Sequence, residues 1–266
     1  MAAMTPNGVK NYGNPFKVNW WARAGWILAA VYVVYAANYL DVSLSRFIAG
    51  LGNGGEFLSE MVPVNFSRWR LLVGNLIETV EIAIIASAFG VTISLPVGLC
   101  AARNLMPLWV TWPFRVFIAL CRSFHPVIFA ILFVKAVGFG PLAGILTLIF
   151  ASIGFIGKLF AEAIEEISLK PLEALRAAGA PFISVIIYGV LPQVLNRFIG
   201  FASYQLDANL RNSTMVGIVG AGGIGGTLFA AFQRFDYDFL AAILISIIAL
   251  VMVSEFISVQ VKKVFQ

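Results

Sequence analysis

The stretch KLFAEAIEEISLKPLEALRAAGAPFISVIIYGVLPQ, residues 158–193, opens as the end of one apolar run and closes as the start of another. Its polar middle carries helix punctuation. Pro171 falls where a first turn loses nothing by lacking an amide, and Gly179 followed by Ala180-Pro181 supplies a left-handed cap and a residue that cannot continue. The spacing predicts a helix of about two turns over 171–178, held between two much longer apolar segments.

Working outward, those flanking segments belong to a set. A hydrocarbon core of ~30 Å needs about 20 apolar residues of helix. Six runs reach that length, approximately 22–40, 74–101, 112–135, 141–163, 182–206 and 238–258. The whole chain of 266 residues is 60% hydrophobic and 12% charged, far from the roughly 25% charged residues of a soluble domain. The runs are continuous and not ten-residue alternations, so the chain reads as all-α and polytopic, with backbone amides satisfied inside each helix, and not as a barrel. Residues 1–19 are polar and hold no short apolar cleavage-site pattern, so the first run is expected to be a retained span. Cys100 and Cys121 lie inside apolar runs and read as small buried hydrophobes.

Lys and Arg positions orient the set. With the N-terminus inside, the inner side carries Lys10, Lys17, Arg23, Arg103, Arg115, Lys158, Lys170, Arg176, Lys262 and Lys263, more than the outer side's Arg46, Arg68, Arg70, Lys135, Arg211 and Arg234. Both termini are therefore expected in the cytoplasm, with the 158–193 loop beside them. The modest positive charge flanks apolar runs and points to a membrane surface, with no nucleic-acid partner. The outer connection 207–237 is Gly-rich and apolar, and it reads as partly re-entering the membrane.

Within 158–193, Glu173-Ala174, then Gly179, then Leu191-Pro192 have a spacing that resembles the EAA loop of ABC-importer permeases, with Leu175 where the family usually has a second Ala and Gly189 where an Ile is common. GFIGKLFAEAIEEI (154–167), AARN (101–104) and LDANLRNSTMVGIVGAGGIG (206–225) resemble the phosphonate-transport subfamily, and the likeness runs over roughly residues 71–260. The resemblance implies a type I ABC-importer permease fold, with residues 1–70 as N-terminus, first span and external loop and residues 71–266 as the permease core. It further implies that Glu173, Ala174, Gly179, Leu191 and Pro192 couple the chain to a separate ATPase. Expected partners are two ATPase subunits holding ATP and Mg, a periplasmic phosphonate-binding protein and a second permease copy, in the bacterial inner membrane. The chain itself is expected to hold no cofactor or metal and to be no enzyme.

The remaining candidates are ionisable or small. Arg122 and the one histidine, His125, are three apart and would share a helical face. Arg122 reads either as a charge fixing helix packing or as a cation of the translocation path, and His125-Pro126 either as a kink with the imidazole on a carbonyl or as part of that path. Asp207 and Arg211 either neutralise each other or line the path, with Asn209, Ser213 and Thr214 beside them. Glu78 and Glu81 read as packing or gate residues. Gly220, Gly222 and Gly225, with Gly223 between them, form a GxGxxG, but only 41 residues follow Gly225 and most are one apolar span, so close packing by these four glycines and not dinucleotide binding is expected. The sequence contains no GxxxxGK[ST], HExxH or GxSxG. An intramembrane enzyme therefore lacks its machinery, and a membrane scaffold without nucleotide dependence is the other alternative.

Overall fold

A computed structural model of the protein describes residues 20–40 and 42–265, with side chains through residue 260. Every element among the described residues is helical. The chain divides into two units, residues 1–59 and 60–266.

In the first unit, α1 (Trp20–Tyr39) is followed by α2 (Leu44–Glu60), turned by 55°. The helix α2 was not legible in the sequence because GLGNGG (residues 50–55) reads as a loop. Leu44, Phe47, Ile48 and Leu51 nevertheless recur at helical spacing and form one apolar stripe.

In the second unit, α3 (Trp69–Ala101), α6 (Pro141–Glu165), the continuous segment Phe182–Ile218 and α11 (Tyr237–Phe265) each contain a stretch long and apolar enough to cross a membrane. The segment Phe182–Ile218 consists of α8 (Phe182–Ser184), a π-helical turn (Val185–Val190) and α9 (Leu191–Ile218). Counting the bent pair α1–α2 and the bent pair α4 (Leu108–Ser123) and α5 (Pro126–Val137) as one span each gives up to six among the described residues. Short helix α7 (Lys170–Ala177) joins α6 to the segment beginning at Phe182, and α10 (Ile224–Gln233) leads into α11.

The principal contact is α3 against α6, which run side by side in the same direction. A Cβ on Gly90 would meet Ser152, and one on Gly98 would lie 2.8 Å from the Phe160 ring. Lipid supplies no hydrophobic drive between helices, so close backbone approach through small residues is what holds such a pair.

Two expectations are corrected. The run 112–135 is not one helix. It breaks between Ser123 and Pro126, and α4 and α5 meet at 94°. Phe124 and His125 are extended, the conformation a residue before proline prefers, and Pro126 starts α5. Arg122 and His125 therefore share no face. Nor is 207–237 a plain connection: α9 continues to Ile218, a short break follows, and α10 runs antiparallel to α3, as the contacts Thr79–Ile224, Asn75–Thr227 and Arg68–Asp236 show.

Candidate functional site

The loop between α6 and α9 is built as a rod on an apolar footing. Leu172 is buried and Leu175 half-buried, both against the π-helical turn, while Glu173, Ala174 and Arg176 face outward. The rod ends in a left-handed cap: Gly179 has φ +77°, its amide donates to the Arg176 carbonyl at 3.0 Å, and the Ala180 amide donates to the Leu175 carbonyl at 3.0 Å. That bond pair closes the last turn and halts it. Leu191 is half-buried in the same apolar cluster, and Pro192 is exposed.

Gln193, missed in the sequence, ties the loop to the start of α9. Its Nε2 donates to the Gly189 carbonyl (2.7 Å) and the Ser168 carbonyl (3.3 Å), and its Oε1 accepts from the Ser168 amide (3.1 Å). Arg197 pairs with Glu166 at 2.6 Å beside it. These partners lie 25 and 31 residues apart, so no local signal announces them.

Near the midpoints of α3 and α6 the helices close around polar groups. Asn209 is fully buried; its Nδ2 donates to the hydroxyls of Ser87 (2.9 Å) and Ser152 (3.0 Å). Gln205 Nε2 donates to the Ser152 hydroxyl (3.0 Å) and to Asn209 Oδ1 (2.9 Å). Ser213 is buried with its hydroxyl on the Leu210 carbonyl, and Thr214 is buried next to it. In this conformation Asn209 and Ser213 spend their polar groups on the protein's own packing and face no open route. Arg211, half-exposed, donates to Asp207 at 2.6 Å, and the other Asp207 oxygen accepts from Ser254 of α11 at 3.2 Å.

The glycine stretch forms the break between α9 and α10. Gly220, Gly222 and Gly223 all have φ between +74° and +92°, and a Cβ on Gly225 would overlap the Thr214 carbonyl oxygen. The first amides of α10 are met from α3: Gly223 donates to Glu78 (3.1 Å) and Ile224 to the Thr79 hydroxyl (2.8 Å). Irregular backbone at membrane depth survives only when protein satisfies it in this way. Glu81 is exposed on α3, with no ion pair among the described residues.

His125 caps α5. Its Nδ1 accepts from the Val127 amide at 3.4 Å, so the ring lies on an amide and not on a carbonyl. Arg122, in the last turn of α4, packs its stem on Gly154 of α6 and has neither an ion pair nor a hydrogen bond among the described residues. It lines a cavity of about 430 Å³ between α4, α6 and the end of α3, together with Arg115, Ser123, Lys158 and Glu162. Arg115 is held by Glu165 (2.5 Å) and the Ala101 carbonyl (2.9 Å), and Lys158 by Glu162 (3.3 Å). The sequence hid this cluster because Arg115 and Glu165 are 50 residues apart. The cavity runs from near the middle of α6 toward the end that carries α7 and carries net positive charge, so it suits an anion.

Residues 94–265 match the family described as binding-protein-dependent transport system inner membrane component. A phosphite transport system permease protein, PtxC, of Stutzerimonas stutzeri is 38% identical over 254 residues, covering 94% of this chain and 92% of that protein. A phosphate-import permease protein, PhnE, of Mycolicibacterium smegmatis is 40% identical over 202 residues, covering 75% of this chain but only 38% of that longer protein. Among solved structures, an inward-facing conformation of the MetNI methionine ABC transporter aligns with a TM-score of 0.66 at 24% identity, covering 76% of this chain and all of the matched chain, a likeness of fold.

Proposed function

The chain belongs to the family of binding-protein-dependent transport system inner membrane components, and from that premise we propose that it is the membrane permease of an ATP-driven importer of phosphorus oxyanions. Phosphonate, phosphite and phosphate share a compact, tetrahedral, negatively charged head, and the relatives named for phosphite and phosphate import support this class of cargo. The observation that carries the coupling half of the reading is α7, a short capped rod on an apolar footing with Glu173 and Ala174 turned outward.

The rod serves as the contact for a separate ATPase subunit. Closure of two such subunits moves two rods together, and a helix stopped at Gly179 and footed on the π-helical turn transmits that displacement as a rigid body. Glu173 and Ala174 supply the docking face; Leu191 and Pro192 begin the helix that receives the push. No group on this chain hydrolyses ATP in this scheme, so ATP and Mg belong to the partner.

The second copy of the permease is supported by Glu81, Arg122 and Arg211, which are exposed on single-chain helices at bilayer depth. Lipid does not accept such groups, so they face an enclosed route between copies. Along it Arg211 and Arg122 provide positive potential for the anion, and a periplasmic binding protein delivers the cargo at the end where α10 meets α11. Both termini and α7 lie in the cytoplasm, with the chain in the inner membrane.

The test is uptake by the purified transporter in proteoliposomes with ATP inside. We expect accumulation of at least one of phosphite, phosphate and methylphosphonate, dependent on the binding protein, and none of methionine. Uptake without ATP, or of none of the three anions, would reject the reading.

A further inference from the structure

The cavity between α4 and α6 contains three cations in unequal circumstances. Arg115 is held twice, by Glu165 and by the Ala101 carbonyl. Lys158 is held once, by Glu162 at 3.3 Å, with both side chains nearly half exposed. Pairs of that length and exposure contribute little and exchange readily. Arg122 has no partner among the described residues. Its stem is pinned on Gly154, near the midpoint of α6, and it lies on the α4 face shared by Arg115, Ile118 and Ala119, which lines the cavity. A guanidinium at that depth with five unmet donors wants a planar or tetrahedral oxyanion.

We propose that this cavity is a binding site for a phosphorus oxyanion, with Arg122 as its principal ligand and Lys158 recruited from Glu162. The anion's oxygens take the forked donors of Arg122; Lys158, about one helical turn nearer the α7 end, turns from Glu162 to a second oxygen. Glu162, then unpaired at the mouth, repels the anion's departure until Lys158 returns to it. The volume of about 430 Å³ is many times that of a water, so the anion enters with part of its hydration shell. The Ser123 hydroxyl is turned onto the Ala119 carbonyl and takes no part. As a resting place on the cytoplasmic half of the route, this site rests on the transport reading above. The same phosphate chemistry is also offered by an anionic lipid headgroup.

The experiment equilibrates radiolabelled inorganic phosphate with the intact transporter, its ATPase subunits filled with Mg-ADP, in nanodiscs of phosphatidylcholine alone or mixed with phosphatidylglycerol. One saturable site per permease copy is expected in phosphatidylcholine, displaced by phosphite and weakened by salt. Arg122→Gln should weaken it by about tenfold or more, as loss of a charge-assisted donor pair does. Lys158→Gln should weaken it less, and Lys158→Arg should restore it. Binding lost only when phosphatidylglycerol is present keeps the oxyanion site and assigns it to a lipid headgroup. Absence of saturable binding in phosphatidylcholine, or binding indifferent to both the Arg122 and Lys158 substitutions, overturns the site. If wild-type discs fail to bind yet proteoliposomes import phosphite on ATP, only this site falls; if no phosphorus oxyanion is imported at all, the transport reading falls instead.

Discussion

Leu175 and Gly189 stand where the permease family usually has Ala and Ile, and the fold brings the two departures into contact. A Cβ on Gly189 would lie 3.2 Å from Leu175 Cδ1 and 3.3 Å from Leu172 Cδ1, so the large side chain has crossed from the π-helical turn to the rod. Gly189→Ile should destabilise the protein by about 1–3 kcal/mol through overpacking, and Leu175→Ala should also destabilise it by leaving a void. Combined, they should recover most of both losses in thermal unfolding; additive effects would show that the contact carries no exchange. Asn209 makes a second test at this scale. Asn209→Leu removes the donor shared by Ser87 and Ser152 and one of the two acceptors of Gln205, so a loss of about 1–3 kcal/mol is expected, read as a lower unfolding midpoint. Arg211 separates pairing from potential. If its charge draws the anion, Arg211→Ala should lower uptake and the double variant with Asp207→Asn should remain low; restored uptake in the double variant would mean that only the pair mattered.

At the scale of elements, α7 and the α9–α10 break both depend on backbone that turns left-handed, but for different ends. Gly179 has open space around it, so a side chain there clashes with nothing and is strained only by φ +77°. Gly179→Val should cost about 1–2 kcal/mol locally and lift the rod's terminal turn. The expected outcome is ATP hydrolysis kept and phosphite uptake reduced about tenfold or more, whereas unchanged uptake at normal expression would remove Gly179 from the coupling mechanism. At the break, by contrast, Gly217 and Gly225 admit no methyl, because the Gly222 and Thr214 carbonyls occupy the space. The ends of α7 could be read from Pro171 and Gly179 because capping signals act within a turn. The break at Ser123–Pro126 could not, since a proline in an apolar run suits a kink as well as a corner. Across the 94° turn, Phe129 and Phe133 of α5 pack on Phe150 of α6, at 5.8 and 5.3 Å between ring centres, contacts that no local signal announces.

For the whole molecule, the proposed orientation, with α7 in the cytoplasm, rests on where positive charge collects, and it has a direct check. A Cys substituted at Glu173 should react with an impermeant maleimide in inside-out vesicles and be protected in right-side-out cells; the reverse would invert the topology. Composition and run length determined that this chain is a helical membrane protein, because the bilayer's thickness and its lack of hydrogen-bonding partners leave few alternatives. Spacing within a turn determined the rod and its glycine cap. Tertiary structure alone decided which polar residues became packing and which became a site. Asn209 and Arg122 look equally eligible in the sequence, yet one is enclosed by Ser87, Ser152 and Gln205 and the other opens on a cavity. That distinction rests on distant partners, such as Ser87 and Ser152 at 122 and 57 residues from Asn209, where no local periodicity reaches and only the meeting of helix faces decides.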